Sequence, residues 1–308
     1  MPITHASLET DLRLANILSQ EIGLLLADRT SIRTTGAVTY HGSVNGAGSD
    51  TVAVRLAGLD GYDAMAAVAD GVAATETAIT DASATIAVSR YALRRDLTDI
   101  SEATGMGGSD ITVQRLAASA VGEADACFMG LVATAIAGFG ATDAGSSGVD
   151  MSVDDFFTAT STLEIANNSG PYYALLHPRQ LADLQTSIRA EAGALQFLVA
   201  GAGMDQSMLS AKGAGYAGSF LGVDIYTSSH VTSSGGNKHG GMWAAGCLGW
   251  ADSQPLIGFG DTIRPSGSPV TVEIQRDASA ALTEVISNAY FGVSVVQDSM
   301  GVGIVTDN

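Results

Sequence analysis

The residues of this 308-residue chain best equipped for chemistry are five histidines, two cysteines and one cluster of glycines. His5, His41, His177, His230 and His239 share no metal-ligating spacing of the His-x-x-x-His kind. Cys127 and Cys247 stand far apart with no ligand-type neighbours, which leaves free buried thiols or a single disulfide. The stretch Gly213-Ala214-Gly215-Tyr216-Ala217-Gly218 matches the dinucleotide-binding fingerprint letter by letter. That fingerprint works only when a strand precedes it and a helix follows, so that phosphate meets a helix N-terminus. Here a loop precedes and a strand-like run follows, so the stretch reads as loop. There is no Gly-x-Ser-x-Gly nucleophile elbow and no phosphate loop ending in Gly-Lys-Ser/Thr. Asp154-Asp155 and Asp307 read as helix-start and tail charges, and nothing nominates an acid–base pair. His177, just before Pro178 at a strand-to-helix turn, occupies the kind of place enzymes use; its plainer role is a cap or a hydrogen-bonded turn residue. No catalytic residue, cofactor or metal is assigned.

The elements that would position any site point elsewhere. Apolar residues make up 46% of the chain and charged residues 15%, with a mean hydropathy of +0.24. Charge is well below the ~25% of an ordinary globular chain. A chain so poor in charge is expected to hide surface against copies of itself. Net charge is −18, and the only lysines are Lys212 and Lys238. That balance excludes gripping nucleic acid by clustered phosphate contacts and excludes a polybasic membrane patch. It is compatible with enclosing nucleic acid, where a wall that does not stick is useful. The N-terminus, MPITHASLETDLRLAN, has charges where a signal peptide needs its apolar core. The uncharged stretch from Ala126 to Thr142 carries Gly130, Gly138 and Gly140 and reads as part of a packed helix rather than a membrane span.

Along the chain, residues 7–28 predict an amphipathic helix through Leu8, Leu12, Leu14, Leu18, Ile22 and Leu25. DTVAVRL, with Val52, Val54 and Leu56 on one face, and TIAVSRYAL, alternating through Ile86 and Val88, flank a soft Ala- and Gly-rich excursion. The pair predicts a long projecting hairpin whose apolar positions need a partner surface. From Ser109 to Phe139, Leu116, Ala120, Ala124, Phe128, Leu131, Ala135 and Phe139 keep helical spacing, which predicts a rod of ~40 Å. A second helix fits VDDFFTATSTLEIAN, PYYALLHP reads as a buried strand, and Pro178 opens a helix over RQLADLQTSIRA. The strands SFLGVDIYTSSHV and MWAAGCLGWA follow. The aromatic residues Tyr172, Tyr173, Trp243 and Trp250 are expected in the core.

The chain closes on VTVEIQRDASAALTEVISNAYFGVSVVQDSMGVGIV, apolar on both faces and broken by glycines, where a terminus would ordinarily fray. Such a run is expected to be interior wall.

The order of these pieces carries a resemblance. Arm, projecting strand pair, long helix, an inserted segment with ALLHPRQLADL and FLGVDIYTSSHV, then MWAAGCLGWA and the long closing strands together resemble the major capsid proteins of tailed bacteriophages. That is the Hong Kong 97-type α+β shell fold, shared with encapsulins. The resemblance implies an N-terminal arm at 1–49 and an extended loop at 50–91. It implies a peripheral domain at 92–171 and 252–308, with a spine helix at about 109–139, and an axial domain at 172–251.

The function so implied is a virion shell of pentamers and hexamers tiling an icosahedron around double-stranded DNA, made in the cytoplasm of a bacterial host. Its partners would be other copies of itself, a separate scaffolding protein, a portal and a decoration protein, with no membrane. Some members lock the shell with an isopeptide bond from an extended-loop lysine; this chain has no lysine before Lys212, so a non-covalent shell is expected. The arm helix begins almost at Met1, which favours a scaffold on a separate chain over a cleaved N-terminal segment. Candidate contacts between copies are Leu8, Leu12, Val52, Val54, Arg94, Arg95 and Arg276. Two alternatives stay open: an encapsulin-type compartment around a protein cargo, and, from a different class, a soluble α/β enzyme with a site near His177 or the 201–218 loop.

Overall fold

A computed structural model describes residues 32–57, 67–73, 81–100, 108–166, 168, 170–190, 198–199, 215–253, 262–263 and 270–307. The predicted helix at 7–28, with Leu8 and Leu12, lies outside the described residues. In chain order the strands are β1 (Thr39–Ser43), β2 (Thr51–Ala57), β3 (Asp81–Ala87), β4 (Ser89–Thr98), β5 (Tyr172–Leu176), β6 (Leu198–Val199), β7 (Tyr216–Phe220), β8 (Val223–Thr227), β9 (Ser233–Ser234), β10 (Asn237–Ala244), β11 (Leu248–Asp252), β12 (Thr262–Ile263), β13 (Val270–Asp277), β14 (Leu282–Val295) and β15 (Gly301–Asp307). The α-helices are α1 (Gly108–Ile136), α2 (Val153–Ile165) and α3 (Pro178–Ala190).

At 29 residues α1 is about 44 Å long, close to the rod expected from its periodicity. Its stripe of Ala120, Phe128, Val132, Ala133 and Ile136 is buried against a sheet ordered β1-β11-β14-β13-β12, with β4 on the other side of β14. Phe128 anchors this layer, its ring tilted against Phe291 and edge-on to Trp250. The Arg33 guanidinium lies over both Phe128 and Trp250, 5.8 and 5.7 Å from the ring centres. Burial pulls Arg33 below its ordinary pKa, while Asp125 and Asp252 oppose that pull.

The second sheet runs β15-β10-β5-β8-β7-β6, with β9 beside β10. The helix α2 covers it through Val153, Phe156, Ala159 and Leu163. That helix starts at a capping box, in which Ser152 accepts from the Asp155 N–H and Asp155 accepts from the Ser152 N–H. Pro178 opens α3 as the sequence predicts. On α3 the buried Gln180 accepts from the His177 N–H and donates to the Thr306 hydroxyl and the Ile304 carbonyl, which pins the helix to β15. Trp243, wholly buried, donates its indole N–H to the Ala37 carbonyl at 2.7 Å and ties this sheet to the chain entering β1.

Two strands sit differently from the expectation. The run 301–307 does not close the same sheet as 270–295: a 3-10 turn at Asp298–Met300 diverts it, and β15 pairs antiparallel with β10 in the second sheet. Likewise MWAAGCLGWA is split between the sheets, with β10 in the second and β11 paired with β14 in the first. The turn at 245–247 carries the chain across.

This explains the glycine-broken terminus. Val302 and Ile304 are buried in the cluster under α2. On the other face of β15, a Cβ at Gly301 would collide with the Phe139 ring and one at Gly303 with the Asp143 carboxylate. The terminal run is core on one face, and on the other it is too tightly covered for side chains at Gly301 and Gly303 before Val305 is buried there in turn.

β2 and β3 pair over seven residues as the predicted hairpin. The ribbon continues into β4 with only Val88 between, whose N–H bonds to the Asp50 carbonyl at 2.9 Å. The base of the ribbon does have a small core of its own chain: Ile86 with Ala251 and Val296, flanked by Val52, Val54, Ala84 and Val88. Gly292 of β14 lies directly beneath the crossing at Ala87–Val88, where no side chain fits.

Candidate assembly surfaces

No group of three or more metal-type ligands occurs among the described residues. His177 is a turn residue: its Nδ1 accepts the Arg179 N–H at 3.2 Å, satisfying the first turn of α3. Burial first, and Lys238 second, hold its pKa below the ordinary histidine value. The fingerprint-like glycines begin outside the described residues; from Tyr216 the chain is β7, with no helix after it. Both cysteines are free, Cys247 buried and Cys127 half-buried, and burial raises both thiol pKa values. Tyr173 and Trp243 are core, with Tyr172 and Trp250 partly buried around it. No described helix is long and apolar enough to cross a membrane.

The surfaces that stand out belong to the ribbon and its sheet. Val52 and Val54 face their own chain and are half-buried there, while residues 67–73, between β2 and β3 in sequence, are exposed, Val68 and Val72 included. Along β4, side chains alternate. Tyr91 and Leu97 pack toward α1, and Tyr91 stacks on Phe291 with ring centres 4.8 Å apart. Arg94 points away from α1 and is paired within its own chain, to Asp96 at 2.8 Å and Glu284 at 2.7 Å. Arg276 holds Asp99 through two parallel bonds of 2.5 and 2.6 Å, which keeps that carboxyl below its ordinary pKa. Arg95 reaches the Ser119 hydroxyl of α1 at 3.2 Å. Of the arginines expected between copies, then, Arg94 and Arg276 have carboxylates inside the chain and Arg95 has a hydroxyl.

Sequence reading passed over Arg90, whose Nε donates to the Asn288 side-chain oxygen at 2.9 Å. Asn288 is fully buried and donates in turn to Glu273 at 3.1 Å. A buried asparagine in the middle of an apolar strand was the available signal. Between β4, β14 and α1 lies a groove of about 340 Å³, lined by Tyr91, Leu93, Ala120, Ala124, Cys127 and Val270 among others. Beside the second sheet, Phe157 and Ile165 of α2 and Leu221 of the turn between β7 and β8 are exposed apolar residues.

The sequence matches no family model and no curated protein. Solved structures do match. A chain of the capsid of Ralstonia phage GP4 is 13% identical with a TM-score of 0.59, over 91% of this chain and 90% of that one. A chain of the capsid of cyanophage P-SCSP1u is 16% identical with a TM-score of 0.56, over 91% and 89%. A chain of the holo-SrpI encapsulin complex from Synechococcus elongatus PCC 7942 is 14% identical with a TM-score of 0.54, over 75% and 78%. Over these spans the chain shares its fold with capsid chains of tailed phages and with an encapsulin shell chain, and it has the α+β fold of tailed-phage major capsid proteins.

Proposed function

We propose that the chain is the major capsid protein of a tailed phage: a structural, non-enzymatic protein whose pentamers and hexamers tile an icosahedral shell around double-stranded DNA. The observation that carries the reading is reciprocal coverage: about nine-tenths of this chain superposes on about nine-tenths of phage capsid chains. The mechanism is geometric. Many copies meet at repeated, individually weak contacts that sum to a stable cage. The ribbon and the β4 face are the surfaces assigned to those contacts, and Leu8 and Leu12 of the arm add to them. A separate scaffolding protein, a portal and a decoration protein are the expected partners. Division into arm (1–49), extended loop (50–91), peripheral domain (92–171 and 252–308) and axial domain (172–251) belongs to the same proposal, with strand β15 bridging the last two.

The experiment is sedimentation and negative-stain microscopy of the purified chain, alone and co-expressed with a candidate scaffold. Closed particles tens of nanometres across containing DNA are expected from infected cells. A compact monomer or dimer, unchanged by scaffold, overturns the reading. An encapsulin-type compartment is the second reading, resting on the 75% and 78% coverage above; closed particles holding protein and no nucleic acid would select it.

A further inference from the structure

We propose that the outer edge of β4, with the groove beside it, receives an extended, carboxylate-bearing segment of a second copy of this chain, clamped by Arg90 and Arg95. The inference rests on the shell reading and names the contact it uses.

Three observations converge on this edge. First, β4 pairs with β14 through ten residues, Ser89 to Thr98, and no other strand flanks it among the described residues. In an antiparallel ladder about half of those backbone N–H and C=O groups point away from β14, so the edge offers a template for one more strand. Second, Arg94 and Arg276 already hold carboxylates, whereas Arg90 and Arg95 have none within 4 Å among the described residues. Glu123 lines the same groove as Arg90 yet makes no ion pair with it. In a chain with 32 acidic and 14 basic residues, another copy presents mostly carboxylates, so the complementary partner for two carboxylate-free guanidinium groups is that copy. Third, the groove is floored by Tyr91, Leu93, Ala124, Cys127 and Val270, which suits an apolar side chain set between the acidic ones.

Charge on an edge strand also serves monomeric proteins as a defence against pairing. That role is best filled by mobile lysines, and β4 has none. Here each guanidinium is held in place, Arg95 by Ser119 on the α1 face and Arg90 by the buried Asn288 on the opposite face, so an added strand, whose side chains also alternate, would meet one planar donor fork on each face.

The test uses the full chain with its scaffold. R90Q/R95Q is expected to melt a few degrees below wild type, because the buried Asn288 loses the Arg90 donor, yet to stay folded, to need roughly fivefold or more protein to assemble, and to lose much of the salt sensitivity of wild-type assembly. R90K/R95K should recover part of the loss. Hydrogen exchange on the wild type guards against a variant that fails to fold: outward amides of β4 should become protected on assembly. Wild-type particles alongside R90Q/R95Q particles formed at the same concentration, with the same salt response, would overturn the clamp and leave the shell reading standing. So would β4 amides that stay unprotected in particles, or that are protected only while scaffold is bound. A wild type that forms no particles at all overturns both.

Discussion

Gly292→Ala should separate the ribbon's attitude from the stability of the body it springs from. A methyl at this position would lie 2.7 Å from the Ala87 carbonyl carbon and closer still to its oxygen, against ~3.5–4.0 Å for an unstrained contact. The atoms in the way are backbone, so no rotamer change relieves the clash, and the strand at Ala87–Val88 must lift by about 1 Å. Ser89 stays fixed by its pairing with Phe291. Two residues of strand span ~7 Å, so the lift tilts the ribbon by roughly 8°. Over the seven residues of β3, ~23 Å, that tilt carries the far end about 3 Å from its place.

Overpacking of this kind costs ~1–3 kcal/mol, a fall of about 2–12 °C in melting temperature for a chain this large. A displacement of ~3 Å is fatal to a repeated, shape-matched contact. The expected result is therefore a folded protein that no longer assembles regular particles. Denaturant unfolding with unchanged slope establishes the fold, and sedimentation with scaffold reads assembly. Gly130→Ala is the control: it lies in α1 with open space where its Cβ would go, so it should gain ~0.5–1 kcal/mol and assemble normally. Regular particles from Gly292→Ala at the wild-type concentration would refute the assignment of the crossing as the fulcrum.

Three further outcomes are expected. Phe128→Ala empties the layer between α1 and β14 and removes the ring under Arg33; it should cost ~3–5 kcal/mol by chemical denaturation. His41 has its Nε2 buried without a hydrogen-bond partner, and burial holds its pKa below the ordinary value. The folded state thus resists protonation, so stability is full above ~6.5 and falls as pH drops below it; the denaturation midpoint should be lower at pH 5.5 than at 7.5, with a smaller difference in His41→Gln. Asp183 has a buried Oδ2 with no hydrogen bond and sits 3.8 Å from Arg179. Burial, and then Asp150, raise its pKa; Asp183→Asn should gain ~1 kcal/mol at pH 7, a gain that shrinks toward pH 4 as wild-type Asp183 takes up its proton.

What could be seen in the sequence, and what could not, follows from the range of the forces involved. The spine helix announced itself because Ala120, Ala124 and Phe128 repeat at helical spacing, a local signal that survives without knowledge of any partner. The hairpin was legible for the same reason: Val52 and Val54 alternate opposite Ile86, and the two runs pair in that register. Sheet membership of β11 and β15 was not legible. Both strands are apolar on two faces, and periodicity cannot tell which of two sheets a doubly buried strand will join. For β15 the place in the second sheet depends on glycines at 301 and 303, which admit Phe139 and Asp143 against the backbone, and those partners are more than 150 residues away in sequence. The arginines show the same limit from the other side. Arg94, Arg95 and Arg276 look alike as letters in mixed-charge clusters, yet only the fold decides which are quenched: the register of β4 on β14 sets Glu284 opposite Asp96, beside Arg94, and the end of β4 brings Asp99 to Arg276. Arg90, in no such cluster, has no carboxylate partner among the described residues and bonds Asn288 instead. Assembly contacts are the last thing a sequence discloses, because they are whatever charge and edge the fold itself has not already used.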